Sequence, residues 1–151
     1  MAYWLLAVGL IVASLKPVTW AAVVAPGRVK AGGIVSVRLT ATIDEGWHLY
    51  STTQPPGGPV PTRIGVASPG FALEGAVAFP KPTVHPDPNF QINVETYESA
   101  VTFTLPVRVD RAVPVGADTL VVSARYQACN ATLCLPPQTA TVPVVLQVAA
   151  K

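Results

Sequence analysis

The chain has 151 residues, half of them hydrophobic, and ten Lys and Arg against eight Asp and Glu give a formal net charge of +2. That length suits one domain with a substantial core. The near-neutral, scattered charge excludes nucleic acid or an anionic membrane surface as the partner, and beyond the N-terminus no apolar run is long enough to cross a bilayer.

The first apolar run, LLAVGLIVASL at residues 5–15, has the length of a signal-peptide core and is short for a membrane span. Small residues at Ala21 and Ala22 offer a cleavage site, so residues 1–22 read as an export leader and residues 23–151 as the domain. The segment ahead of the run has no Lys or Arg, and Trp20 is bulky so close to the cut. An uncleaved anchor is therefore the alternative. Export would place the two cysteines where a disulfide persists.

From 34 to 43 the sequence alternates, with Val35, Val37, Leu39, Ala41 and Ile43 on one face and Ser36, Arg38, Thr40 and Thr42 on the other, the pattern of a half-buried strand. Gly46 breaks it, a second apolar piece starts at Trp47, and QPPGGPVP at 54–61 is a loop or crossover. Short strands are expected at 63–67 and 71–79. Residues 80–90 carry prolines at 80, 82, 86 and 88, which favour extended, irregular chain, and long connections of this kind are often functional.

Alternation returns at 101–109, 120–126 and 142–148, and the last two segments flank the cysteines as the arms of a hairpin. No segment has a helical period. The chain therefore reads as all-β, an immunoglobulin-like β-sandwich.

The only two cysteines, Cys129 and Cys134, lie in YQACNATLCLPP at 126–137 with four residues between them. As a staple this spacing is poor: closing so short a loop stabilises by about 2 kcal/mol, against nearly 5 for a loop of about 100 residues. As a dithiol pair it is suitable, because one thiolate can attack a partner's disulfide and the other can resolve the mixed disulfide when both sulfurs are close and reachable. A bridge that only locks the turn remains the other reading.

Tyr50, Tyr97 and Tyr126 are candidates to line the cysteine site, with packing in the core or at its rim as their ordinary role. Glu95 and Glu98 could act as acid or base near the thiols, or be solvated strand-edge charges. His48 and His85 lack metal-ligand spacing, so no metal and no cofactor is expected. Asn130-Ala131-Thr132 matches a glycosylation sequon, a match common by chance.

YQACNATLCLPP, with the preceding LVVSARYQ and the early GWHLYS at 46–51, resembles the N-terminal periplasmic domain of the DsbD-type thiol:disulfide interchange proteins. A looser likeness runs through ETY at 95–97 and FTLPV at 103–107. The resemblance implies an immunoglobulin-like sandwich whose cysteine pair takes electrons from a thioredoxin-like donor domain or membrane electron transporter. It would pass them to a periplasmic disulfide isomerase or a cytochrome c maturation thioredoxin. By position, Cys134 would form the mixed disulfide and Cys129 resolve it, while Phe90 would be the aromatic of a cap loop shielding the pair.

The chain departs from the family's best-known members in having four residues between the cysteines instead of five. It also has Pro88, Asn89 and Gln91 where their cap loop has acidic residues and a tyrosine. No electron conduit or thioredoxin-like domain follows before Lys151, so the resemblance implies a stand-alone exported module supplied with electrons by another protein. The alternative is a non-catalytic immunoglobulin-like binding module with a purely structural hairpin disulfide.

Overall fold

The computed structural model describes residues 15–87 and 90–150. The strongest alternation in the sequence becomes the centre of the fold. Strand β3 (Ile34–Ile43) alternates buried residues with exposed or half-buried ones throughout, and β9 (Ala100–Val109) does the same beside it. The two pair antiparallel, with Leu39 opposite Phe103 and Val37 opposite Leu105. With β1 (Val18–Ala25) and β6 (Phe71–Leu73) they make one sheet in the order β1-β3-β9-β6.

The second sheet is ordered β2-β12-β10-β5, from β2 (Arg28–Lys30), β12 (Gln138–Ala149), β10 (Gly116–Tyr126) and β5 (Arg63–Val66). Strands β10 and β12 are the expected hairpin arms, paired antiparallel from Gly116 opposite Val148 to Tyr126 opposite Gln138. The inner faces of the two sheets meet in one core, including Val35, Val37, Leu39, Phe103, Leu105 and Val107 from the first sheet and Leu120, Val122, Leu146 and Val148 from the second. Fully burying an aliphatic or aromatic side chain of this kind contributes roughly 1.5–3 kcal/mol, so this interior holds the sandwich together. The fold is all-β and immunoglobulin-like, as the strand pattern implies.

The leader boundary expected after Ala22 falls inside β1. Residues 18–25 pair along β3, from Val18 opposite Ile43 to Ala25 opposite Ser36. Val18 is buried, and Trp20 packs on the core with its ring 6.3 Å from Phe103 and 5.3 Å from Tyr126. The small and apolar residues that resemble a cleavage region also suit a strand with one inward face. At Pro26 and Gly27 the chain changes sheets, and β2 joins the second as a parallel neighbour of β12. Residues 5–14 of the apolar run lie outside the described residues, and no described helix is long and apolar enough to cross a membrane.

A third, smaller sheet has the order β11-β4-β8-β7, from β11 (Ala128–Cys129), β4 (His48–Tyr50), β8 (Ile92–Tyr97) and β7 (Thr83–Asp87). Here the structure corrects the reading of 80–90 as irregular chain: five of those residues form β7, with Pro86 opposite Asn93. Strand β7 is an edge of its sheet, where a residue without an N–H is tolerated. Of the strand expected at 71–79, only β6 and an isolated bridge from Ala78 to Thr104 form.

Candidate functional site

The cysteines close the end of the β10–β12 hairpin. Cys129 ends β11, and Cys134 faces it across an isolated antiparallel bridge. The sulfurs are bonded at 2.08 Å, with the Cα atoms 4.1 Å apart. Two backbone hydrogen bonds frame the bridge, Asn130 N to Leu133 O at 2.8 Å and Leu135 N to Ala128 O at 2.9 Å. Cys129 and Cys134 therefore occupy the non-hydrogen-bonded position of the ladder, where opposite residues approach most closely.

Asn130 holds the turn between them. Its Oδ1 accepts from the backbone N–H of Thr132 at 3.0 Å and of Leu133 at 2.7 Å, the local bonding that suits asparagine to turns. The sequon thus coincides with a residue that has a structural task.

The two sulfurs have unlike surroundings. Cys129 is 1 % exposed and packs with Tyr50 and Val94 in a small cluster of its own, with Ile92 against it. Cys134 is exposed, on a tip where Ala131, Thr132 and Leu133 are also exposed. An incoming disulfide or thiolate meets Cys134 first.

The third sheet separates this cluster from the main core. Residues opposite each other in a ladder share a face, and neighbours along a strand alternate. Ala128 lies opposite Leu49 and Leu49 opposite Tyr97, and all three belong to the main core. One residue along, Cys129 lies opposite His48 and Tyr50 opposite Thr96, so Cys129, His48, Tyr50 and Thr96 share the other face.

Of the three tyrosines expected near the pair, the structure brings Tyr50 alone to Cys129. Tyr97 faces the main core, edge-on to Phe103 at 6.1 Å, and donates from its hydroxyl to Pro80 O at 2.6 Å. Tyr126 packs against Trp20.

Tyr50 is tied to His48 by a 2.9 Å contact between its hydroxyl and His48 Nε2, with the rings edge to face at 5.1 Å. Burial, reinforced by the Asp87 carboxylate, pushes the Tyr50 phenol up to about 12, so it stays protonated. Burial also holds the His48 imidazole below its usual 6.5. The charge of Glu98 opposes this, His85 adds to it, and Asp87 opposes it more weakly. His48 is a site residue that its sequence context hides, because only the register places it across from a cysteine.

Glu95 has another task. Its Oε2 accepts from the Ser51 hydroxyl and, at 2.6 Å, from the Thr53 hydroxyl, while its backbone N–H donates to Gln54 Oε1 at 2.7 Å. These bonds fasten the start of the proline-rich loop to β8. Gln127 fastens its far end to the hairpin, accepting from Val60 N at 2.9 Å and donating to Leu135 O at 3.3 Å.

Phe90 stands at the tip of the β7–β8 hairpin, half-buried, with its backbone N–H donating to Asp87 Oδ1 at 3.2 Å. The loop closes on this tip at Gly58. A Cβ there would lie 2.5 Å from Ile92 Cδ1 and 3.7 Å from Phe90 Cβ, so the loop approaches this closely because the residue is glycine. Phe90 thus belongs to the hairpin whose Ile92 and Val94 pack on Cys129.

Among solved structures, the N-terminal periplasmic domain of ScsB from Proteus mirabilis has 17 % identity to this chain and a TM-score of 0.57, covering 89 % of it and 47 % of the ScsB chain. The chain thus spans about half of that neighbour. The N-terminal domain of Neisseria meningitidis DsbD in its reduced form has 19 % identity and a TM-score of 0.46, covering 78 % of this chain and 80 % of the other. No curated protein matches the sequence significantly. Residues 19–146 match the family described as the N-terminal domain of the thiol:disulfide interchange protein DsbD, and with nearly the whole described sandwich inside that match, the chain belongs to this family.

Proposed function

We propose that the protein relays electrons by thiol-disulfide exchange, taking them from a thioredoxin-like donor domain or a membrane electron transporter. It passes them to the disulfide of a periplasmic isomerase or a cytochrome c maturation thioredoxin. One observation carries this reading: the disulfide joins an exposed sulfur to a buried one at the end of a hairpin. Exchange needs one sulfur that a partner can reach and a second that can resolve the mixed disulfide from inside. Cys134 takes the first part and Cys129 the second.

In the reductive direction, a donor thiolate attacks Cys134 Sγ, the bond to Cys129 breaks, and Cys129 leaves with the electron pair and is protonated. The donor's second thiol then displaces Cys134, leaving the dithiol form here and a disulfide on the donor. Delivery to the client runs the same steps in reverse order, beginning with attack by the Cys134 thiolate on the client's disulfide. Phe90 caps the pair against small thiols and oxidants, and a docking partner displaces it. The chain works after export, with its leader ending ahead of β1, so that Val18 and Trp20 stay in the fold.

Cys129→Ser, which leaves Cys134 free, should accumulate mixed disulfides with thioredoxin-like partners, and Cys134→Ser should trap few. The wild-type pair equilibrated against defined dithiothreitol ratios should titrate within the range of such partners, about −120 to −270 mV. A potential below about −300 mV, resistant to thioredoxin-like proteins, would mark the bridge as a structural fixture and sink the relay.

A further inference from the structure

We propose that His48 is the general base for the buried cysteine, taking the Cys129 thiol proton when Cys129 resolves a mixed disulfide on Cys134. The proposal rests on the exchange reading above and deepens it. The ladder places three residues in a row, His48 opposite Cys129 and Cys129 opposite Cys134, so their side chains leave the same face. Residues directly opposite have Cβ atoms about 4.5–5.5 Å apart, within reach of an imidazole ring. The 2.9 Å contact of Nε2 with the Tyr50 hydroxyl holds the ring, and in the proposed tautomer Nε2–H donates to that hydroxyl and Nδ1 is the acceptor.

The need for a base follows from burial. Cys129 is closed off among Tyr50, Val94 and Ile92, and an enclosed thiol favours its protonated form, whereas the thiolate is the nucleophile. Water has little access to remove that proton. Within this small sheet, the titratable groups around His48 are Tyr50 on its own strand, Cys129 and Cys134 from the hairpin, Glu98 after β8, and His85 and Asp87 on β7. Burial outweighs the acidic neighbours, so the ring is neutral and able to accept at pH 7.

The step balances. The Cys129 S–H bond breaks and its proton goes to His48. The sulfur's electron pair forms the bond to Cys134 Sγ, and the partner's sulfur leaves as a thiolate. His48 then returns its proton to the departing thiolate or to solvent.

The reduced protein should react with 5,5′-dithiobis(2-nitrobenzoate) in two phases, release of one thionitrobenzoate as Cys134 attacks and of a second as Cys129 resolves. Thionitrobenzoate leaves without needing a proton, so the second phase isolates removal of the Cys129 proton. In the wild type its rate should rise with one inflection below pH 6.5 and then level off. His48→Gln should leave the first phase unchanged, slow the second by about a hundredfold at pH 7, near the low end for a positioned general base, and lose the inflection. His48→Asn should do the same, which separates loss of the base from a packing effect of glutamine. Tyr50→Phe keeps the base and should keep the inflection at a shifted pH.

A wild-type second phase and pH profile in His48→Gln would overturn the proposal. So would loss of the inflection in Tyr50→Phe alone, which would move the role to the tyrosine. Normal biphasic release without exchange with any thioredoxin-like protein would instead count against the relay and leave the assignment of the base standing.

Discussion

Two sulfurs bonded at 2.08 Å have unlike surroundings, Cys129 buried and Cys134 exposed. Access to Cys134 is then the quantity that a neighbouring side chain would control, which is the cap role proposed above for Phe90. Replacing Phe90 with alanine should raise the rate at which dithiothreitol or glutathione reduces the disulfide several-fold, while the urea midpoint of unfolding stays nearly unchanged. An unchanged reduction rate would remove the cap role from Phe90. The same contrast of surroundings explains how Tyr50 and Tyr97 part company. They stand opposite neighbouring positions of one strand pair, and alternation sends Tyr50 to Cys129 and Tyr97 to Phe103. Sequence alone marks both as aromatic residues in short apolar pieces, without the pairing that sorts them.

At the scale of the elements, the turn 130–133 is more than a connection. Asn130 Oδ1 holds two backbone N–H groups and so fixes the turn across which Cys129 and Cys134 face each other. Asn130→Ala should make ring closure less favourable by about 1–3 kcal/mol, from two hydrogen bonds of roughly 0.5–1.5 kcal/mol each. At about 30 mV per 1.4 kcal/mol that is a potential about 20–65 mV less negative, measurable by equilibration against dithiothreitol. Long strands were legible: the alternation at 34–43, 101–109, 120–126 and 142–148 falls within β3, β9, β10 and β12. The third sheet was not, because β4 and β11 have three and two residues, too few for a period, and β7 contains a proline that argues against a strand unless its edge position is known. β1 was obscured by apolar composition that serves a leader and a core-facing strand alike. The cysteine pair is legible in its spacing and motif, whereas the place of His48 opposite Cys129 needed the register.

For the molecule as a whole, the first strand decides where a stable chain can begin. A chain starting at Val23 loses five of the eight β1–β3 residue pairs, from Val18 to Ala22, together with the buried Val18 and the Trp20 contacts to Phe103 and Tyr126. It should be less stable than a chain starting at Pro17 by about 3 kcal/mol or more, from the valine and the aromatic packing together. Urea unfolding of the two forms measures this, and equal midpoints would show β1 to be dispensable. The small sheet has a further effect, because its two faces serve different interiors. If β4 slipped by one residue against β8, Leu49 would leave the main core and Tyr50 would enter it, since a slip turns every side chain to the opposite face. The same slip would pull His48 out of line with Cys129. A misaligned cysteine site and a ruptured core are thus one and the same folding error, so the stability of the sandwich proofreads the alignment of the cysteine pair with its neighbours.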